Sequence, residues 1–305
     1  MISRSTARDT GEGCGSTMIG CALVSGALTF VVIVMLIMIP AVRGFVRTSV
    51  VKLVGGSVQR VTIPEGWNRF QVASRLENQG IVSSAEEFLK ATEDPVLLEV
   101  LGIPADTAEG YLFPDTYDFY RISEPQNVVE KMVANYVLKF RNLSRRHSRG
   151  LRRFGPLGDD PEHAAVILAS IVEKEAVKTE EMPLIAGVFL NRLLDEGFES
   201  HLLQADPTVS YGCIASVPLP ASCTGFTGKL GRVHLDDENN AYNTYQHAGL
   251  PPGPISNPGI AALEAVLDPE DTEYLYFVAR GNGTHQFSTT LQQHKKAVKK
   301  YRHGR

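Results

Sequence analysis

Two carboxylates, Glu173 and Glu175, close an apolar run at residues 163–177 that reads His-Ala-Ala-Val-Ile-Leu-Ala-Ser-Ile-Val-Glu-Lys-Glu-Ala-Val. At about 100° per residue, Ala164, Leu168, Ile171 and Glu175 share one stripe, so a helix that buries its apolar face also turns Glu175 inward. Glu173 points about 200° away and is expected to meet solvent. Burial disfavours the charged form of Glu175, and so does the negative end of the helix dipole. Both raise its pKa, which suits a general acid working near neutral pH. The alternative is that the helix ends here and Glu175 snorkels out or pairs with Lys178, and helix geometry alone does not choose.

Other stretches carry chemistry-bearing side chains. Residues 109–120, Glu-Gly-Tyr-Leu-Phe-Pro-Asp-Thr-Tyr-Asp-Phe-Tyr, form the densest aromatic cluster. Such faces with interspersed polar groups suit a sugar cleft, and they suit a core strand equally well. Residues 202–212 (Leu-Leu-Gln-Ala-Asp-Pro-Thr-Val-Ser-Tyr-Gly) read as a polar turn between apolar flanks. His285 lies in a predicted hairpin, where a structural role competes with a catalytic one.

The elements that must hold these residues come from a chain of 305 residues, 43% hydrophobic, with room for a main domain and a smaller one. A net charge of −4 argues against nucleic-acid binding, and the basic clusters at 141–153 and 295–305 read as solvated faces. Cys14, Cys21, Cys213 and Cys223 make no zinc pattern, so neither metal nor cofactor is expected. Cys213 and Cys223 enclose a short loop and fit either a disulfide or two free thiols.

Residues 18–42 carry no charge, and roughly 20 such residues cross a bilayer. The run is longer than a signal-peptide core and lacks an Ala-x-Ala end, so it is expected to be an uncleaved transmembrane anchor behind an N-terminal tail, residues 1–17. Arg43, Arg47, Lys52 and Arg60 follow it against Arg4 and Arg8 before it. That bias taken literally keeps the C-terminal part inside, although long domains translocate regardless.

Beyond the anchor, alternation at 57–63 and the break at Pro64-Glu65-Gly66 predict a strand and turn. A helix over 67–79 stops at Gly80. Ser83 followed by Glu86 reads as a capping box that opens a second helix through residue 91. Residues 128–140 predict an amphipathic helix, 145–160 a basic connector and 185–194 another helix. The stretch 249–259, with four prolines and three glycines, is a rigid loop that either shapes a cleft or merely connects. A helix over 260–267 and a hairpin with strands at 274–279 and 284–288 complete the chain.

The stretches 168–175, 111–117 (Tyr-Leu-Phe-Pro-Asp-Thr-Tyr), 204–208 (Gln-Ala-Asp-Pro-Thr) and 241–245 (Ala-Tyr-Asn-Thr-Tyr) resemble the MltG/YceG-like family of endolytic murein transglycosylases. The resemblance spans about residues 62–301. Thr62-Ile-Pro-Glu-Gly66 is similar to the start of that family's LysM-like module, and residues 274–279 with His285 and Phe287 are similar to its C-terminal hairpin. It implies an α+β chain with one transmembrane helix, a small LysM-like α/β module at 57–108 and a larger mixed catalytic domain at 109–303. It also implies a single-pass protein of the bacterial cytoplasmic membrane whose catalytic domain faces the periplasm or exterior. The substrate would be nascent peptidoglycan, cut internally without water to leave 1,6-anhydromuramyl ends, with peptidoglycan synthases as expected partners.

In that resemblance the catalytic glutamate maps onto Glu175. Gln204, Tyr242 and Asn243 are candidates for holding the sugar, with Asp115, Asp206 and Tyr111 behind them. Two departures stand out: the charge bias around the anchor opposes the family's topology, and the segment at 213–223 lies in a longer insert than the family pattern suggests. The rivals are a muramidase using Asp206 as second carboxylate and a non-catalytic, membrane-tethered scaffold that binds peptidoglycan.

Overall fold

A computed structural model describes residues 57–302, and the expected anchor at 18–42 lies outside the described residues. Among those described, no helix is long and apolar enough to cross a membrane. The described chain is mostly helical with two small sheets, an α+β arrangement.

Strand β1 (Val58–Thr62) is followed by α1 (Arg69–Asn78), α2 (Ala85–Thr92) and α3 (Pro95–Leu101) before β2 (Thr116–Tyr120) returns antiparallel to β1, pairing Val58 with Tyr120 and Thr62 with Thr116. The sheet thus joins residues on both sides of the expected boundary at 108/109. Asn68 and Gln71 form a reciprocal capping box that starts α1. The cap of α2 is one residue later than expected: Ser84, not Ser83, accepts from the N–H of Glu87, while Ser83 bonds the Glu87 carboxylate.

Helix α4 (Pro125–Arg146) is longer than predicted at both ends, because proline at the first turn needs no N–H partner and the basic residues that follow suit the helix C-terminus. The supposed connector after it holds α5 (Ser148–Arg152). At the centre lies α6 (Pro161–Glu175), capped by Asp160, whose Oδ1 accepts from Glu162 N at 2.9 Å and His163 N at 3.0 Å. Every residue from Ala164 to Val172 is buried. This helix packs against α7 (Met182–Leu194) and α10 (Ile260–Leu267).

Residues 202–212 are not simply a turn. Helix α8 (Asp206–Ala215) begins at Asp206, with Pro207 in its first turn, where a missing N–H is harmless and a carboxylate is favoured. A short helix α9 (Arg232–Leu235) follows the Cys213–Cys223 disulfide. Strands β3 (Tyr276–Ala279) and β4 (His285–Ser288) form the predicted hairpin, and α11 (Leu291–Arg302) folds back on both.

The loop 249–259 is a staple. Asn257, fully buried, accepts from Gly110 N and Leu112 N at 2.9 Å and donates to Trp67 O and Glu109 Oε1 at 2.9 Å. Next to it, Ile255 N donates to Ser170 Oγ at 3.0 Å and Ser256 Oγ donates to Ser170 O at 3.1 Å, which ties the loop to the middle of α6.

Gly110 lies under this staple with φ +87°, and a Cβ there would stand 2.6 Å from Pro254 and 2.8 Å from Val166 of α6. Gly110→Ala is therefore expected to lower stability by roughly 2–3 kcal/mol, from left-handed backbone strain and overpacking, read as a drop in urea midpoint at unchanged slope.

Candidate active site

Glu175 is the last residue of α6, and its half-buried side chain opens into a cavity of about 500 Å³. The opposite walls come from four places. Arg192 projects from α7, Leu203, Gln204, Asp206 and Pro207 from the entrance to α8, Tyr245 from the following loops, and Tyr276 to Ala279, His285, Leu291, His294 and Val298 from the C-terminal hairpin and helix. A volume of this size suits a small ligand.

The electrostatics single out one carboxyl group. Burial raises the pKa of Glu175 to about 7, the negative charge of Asp206 adds to the rise, and the Arg192 guanidinium opposes it. Arg192 itself is buried, with Nε donating to Leu275 O at 2.7 Å and Nη1 to Leu203 O at 2.5 Å. Its guanidinium lies over the ring of Tyr276 at 5.4 Å. Asp206 is exposed to the cavity and accepts from the Tyr245 hydroxyl at 2.6 Å.

Glu173, expected in solvent, is instead half-buried: its Oε2 accepts from Gly259 N at 3.1 Å, so it sits at the positive N-terminus of α10. Its pKa is raised, by burial first, against the lowering effect of that hydrogen bond. Glu173 joins helices, and Glu175 faces open space.

The backbone at Gln204 is strained, with φ +53°, and is held there by Gln204 N donating to Thr244 O at 3.0 Å and Ala205 N to Thr244 Oγ1 at 3.0 Å. The stretches 204–208 and 241–245 are thereby knitted into one wall.

Of the residues singled out from the sequence, Glu175, Gln204, Asp206 and His285 meet at the cavity. Four others do not line it. Asn243 is fully buried and donates to the carbonyls of His234, Leu235 and Asp237, shaping the loop that presents Tyr245. The Tyr242 ring packs edge-on against Tyr211 at 5.0 Å. Tyr111 is buried with its hydroxyl 2.8 Å from His163 Nδ1. Asp115, exposed beside β2, accepts from Asn135 Nδ2 at 3.0 Å.

Sequence reasoning did not assign Arg192, Tyr245, Tyr276 or His294 to the site. Arg192 had a signal: it is the one charge in the α7 run Met-Pro-Leu-Ile-Ala-Gly-Val-Phe-Leu-Asn-Arg-Leu-Leu. Tyr276 and His294, stacked at 5.3 Å, put an aromatic pair on the cavity wall. His285 is buried, its Nδ1 2.8 Å from Glu181 Oε2 while its N–H donates to Glu181 Oε1 at 3.0 Å, which fixes the ring edge that lines the cavity.

The coupling between Asp206 and Glu175 can be tested directly. Asp206→Asn removes the like charge, so the pKa of Glu175 should fall and the alkaline limb of any Glu175-dependent activity should move to lower pH. A pH–rate profile of the variant against wild type reads the shift, and Arg192→Gln should move the limb the other way.

Residues 45–300 match the YceG-like family. The chain is 30% identical over 262 residues to the endolytic murein transglycosylase of Bacillus subtilis, covering 81% of this chain and 66% of that protein. It is 31% identical over 246 residues to the endolytic murein transglycosylase of Streptococcus pneumoniae, covering 72% of this chain and 40% of that one. The chain thus spans less than two thirds of the length of these relatives. A crystal structure of a yceG-like protein from Listeria monocytogenes superposes with a TM-score of 0.62 at 31% identity, covering 78% of this chain and 75% of that one.

Proposed function

The chain belongs to the YceG-like family, and on that premise we propose that it is an endolytic lytic transglycosylase of peptidoglycan with Glu175 as its acid and base. The observation that carries this reading is a half-buried carboxyl group lining a cavity, its pKa raised to about 7 by burial, with the Tyr276–His294 pair on the cavity wall. Glu175 gives its proton to the glycosidic oxygen as the bond from muramyl C1 breaks. The muramyl C6 hydroxyl then bonds to C1, and its proton passes to the Glu175 carboxylate. The substrate supplies the nucleophile, no water is consumed, and the acid is regenerated. Asp206, Tyr245 and Gln204 stand on the facing wall, where they support the oxocarbenium-like transition state and the sugar hydroxyls.

Asp206 in the same cavity also supports a second reading, a muramidase in which it serves as the second carboxylate. Mass spectrometry of glycan products separates the two: anhydro ends support the transglycosylase, and reducing ends, heavier by one water, overturn it. Residues 18–42 as an anchor, a catalytic part outside the cytoplasmic membrane and synthases as partners complete the proposal. They rest on the uncharged run and the family resemblance.

A further inference from the structure

A second cavity of about 690 Å³ adjoins the first and shares Asp206 and Pro207 with it, so the two meet across the N-terminus of α8. One face of α8, made by Pro207, Ser210, Tyr211 and Ile214 at i, i+3, i+4 and i+7, forms its floor. Lys174, the residue beside Glu175, lines it together with Phe226 and Lys229.

The segment that carries Phe226 and Lys229 is clamped. The Cys213–Cys223 disulfide ties α8 to the loop, Phe226 N donates to Cys223 O at 3.0 Å, and the Phe226 ring meets His234 edge-on at 5.3 Å. Nothing in the acid–base chemistry of Glu175 uses the second cavity.

We propose that the second cavity holds the neighbouring disaccharide of the glycan strand with its stem peptide, Phe226 stacking on a sugar face and Lys174 and Lys229 meeting the carboxylates of the peptide. The inference rests on the glycan-cleaving reading above. An enzyme that cuts within a strand must hold sugars on both sides of the scissile bond, and a path leading off Glu175 past Asp206 and Pro207 into a second hollow provides that.

The side chains fit this ligand. An exposed Ile214 and a half-buried Phe226 offer an apolar and aromatic surface to pyranose C–H faces. The exposed Lys229 and Lys174, the latter donating to Gly66 O at 3.0 Å, put positive charge at the rim, where peptide carboxylates project from the sugar. The chain's disulfide-closed insert thereby acquires a role: it carries the platform that reads the strand.

The test measures binding in the Glu175→Gln background, using soluble uncrosslinked glycan strands that either carry stem peptides or have been stripped of them by an amidase. The parent should bind peptide-bearing strands about fivefold more tightly than stripped ones. Adding Lys229→Glu should abolish that preference and leave stripped-strand affinity unchanged, and adding Phe226→Ala should weaken both by about fivefold. Phe226→Leu, which keeps the volume without the aromatic face, serves if the alanine variant does not fold. A preference that survives Lys229→Glu, or affinities that ignore the loss of the Phe226 ring, overturns the proposal. Because these affinities are read on an inactive protein, they stand apart from whether the wild type yields anhydro ends.

Discussion

Glu175→Gln is expected to reduce glycan cleavage by at least about 10³-fold while strands still bind and the protein still folds. General acid catalysis is worth roughly 10²–10⁴-fold. In the proposed mechanism one carboxyl serves two steps, so an amide of the same shape removes both. Wild-type activity should be high where Glu175 is protonated and should decline as pH rises through about 7.

The same shift enters stability. A carboxyl whose folded pKa lies above its unfolded value stabilises the fold at low pH, and that contribution is lost as pH rises through the folded pKa. The shift from 4.5 to about 7 bounds the loss at roughly 3 kcal/mol, and the open cavity reduces it. Glu175→Gln should therefore melt higher than wild type above pH 7 and nearly match it near pH 4.5. A variant that keeps cleaving strands while melting in this way would remove Glu175 from the chemistry.

The contrast between Glu173 and Glu175 also shows what could be read in advance. Helix phase turns Glu175 rather than Glu173 inward, and it assumes one wet face and one dry face. Helix α6 has no wet face between Ala164 and Val172, so Glu173 meets Gly259 of the staple instead of solvent. Helix phase places Glu175 at the cavity and misplaces Glu173 in solvent.

Local signals located α1, α10 and the hairpin, because caps, turns and alternation are properties of a few adjacent residues. What stayed hidden was set by distant contacts. Asp206-Pro207 looks like a turn until Ala205 and Thr208 are fixed by Thr244. Val298 lies in the basic cluster at 295–305 that reads as a solvated face, yet with Leu291 and His294 just before that cluster it forms, at i, i+3 and i+7, the stripe that α11 turns to the cavity. Arg192 crosses from α7 to carbonyls at 203 and 275, a convergence no window of the sequence contains.

Glu109→Ala should cause the largest loss of stability, about 3–5 kcal/mol, and lower the melting temperature by roughly 10 °C. Glu109 is buried where three parts of the molecule meet. Its carboxylate accepts from Arg69 N at 2.9 and 3.1 Å, from the Tyr211 hydroxyl at 3.0 Å and from Asn257 Nδ2 at 2.9 Å. Alanine strands those donors away from water and loosens α1, α8 and the staple together. Glu109→Gln keeps one acceptor but aims an NH₂ group at donors, so an intermediate loss is expected. Burial raises the Glu109 pKa to about 7, against the lowering effect of its hydrogen bonds to Arg69 and Tyr211. The sign is that of Glu175: the stabilising contribution is complete below the unfolded pKa and disappears as pH rises through about 7. Thermal melts across that range should show the wild type losing stability toward alkaline pH. Glu175→Gln should remove only part of that slope, because Glu109 is still ionising inside the protein. A Glu175→Gln protein whose melting temperature no longer changes with pH would mean that Glu109 keeps one protonation state throughout, held ionised by its four hydrogen bonds.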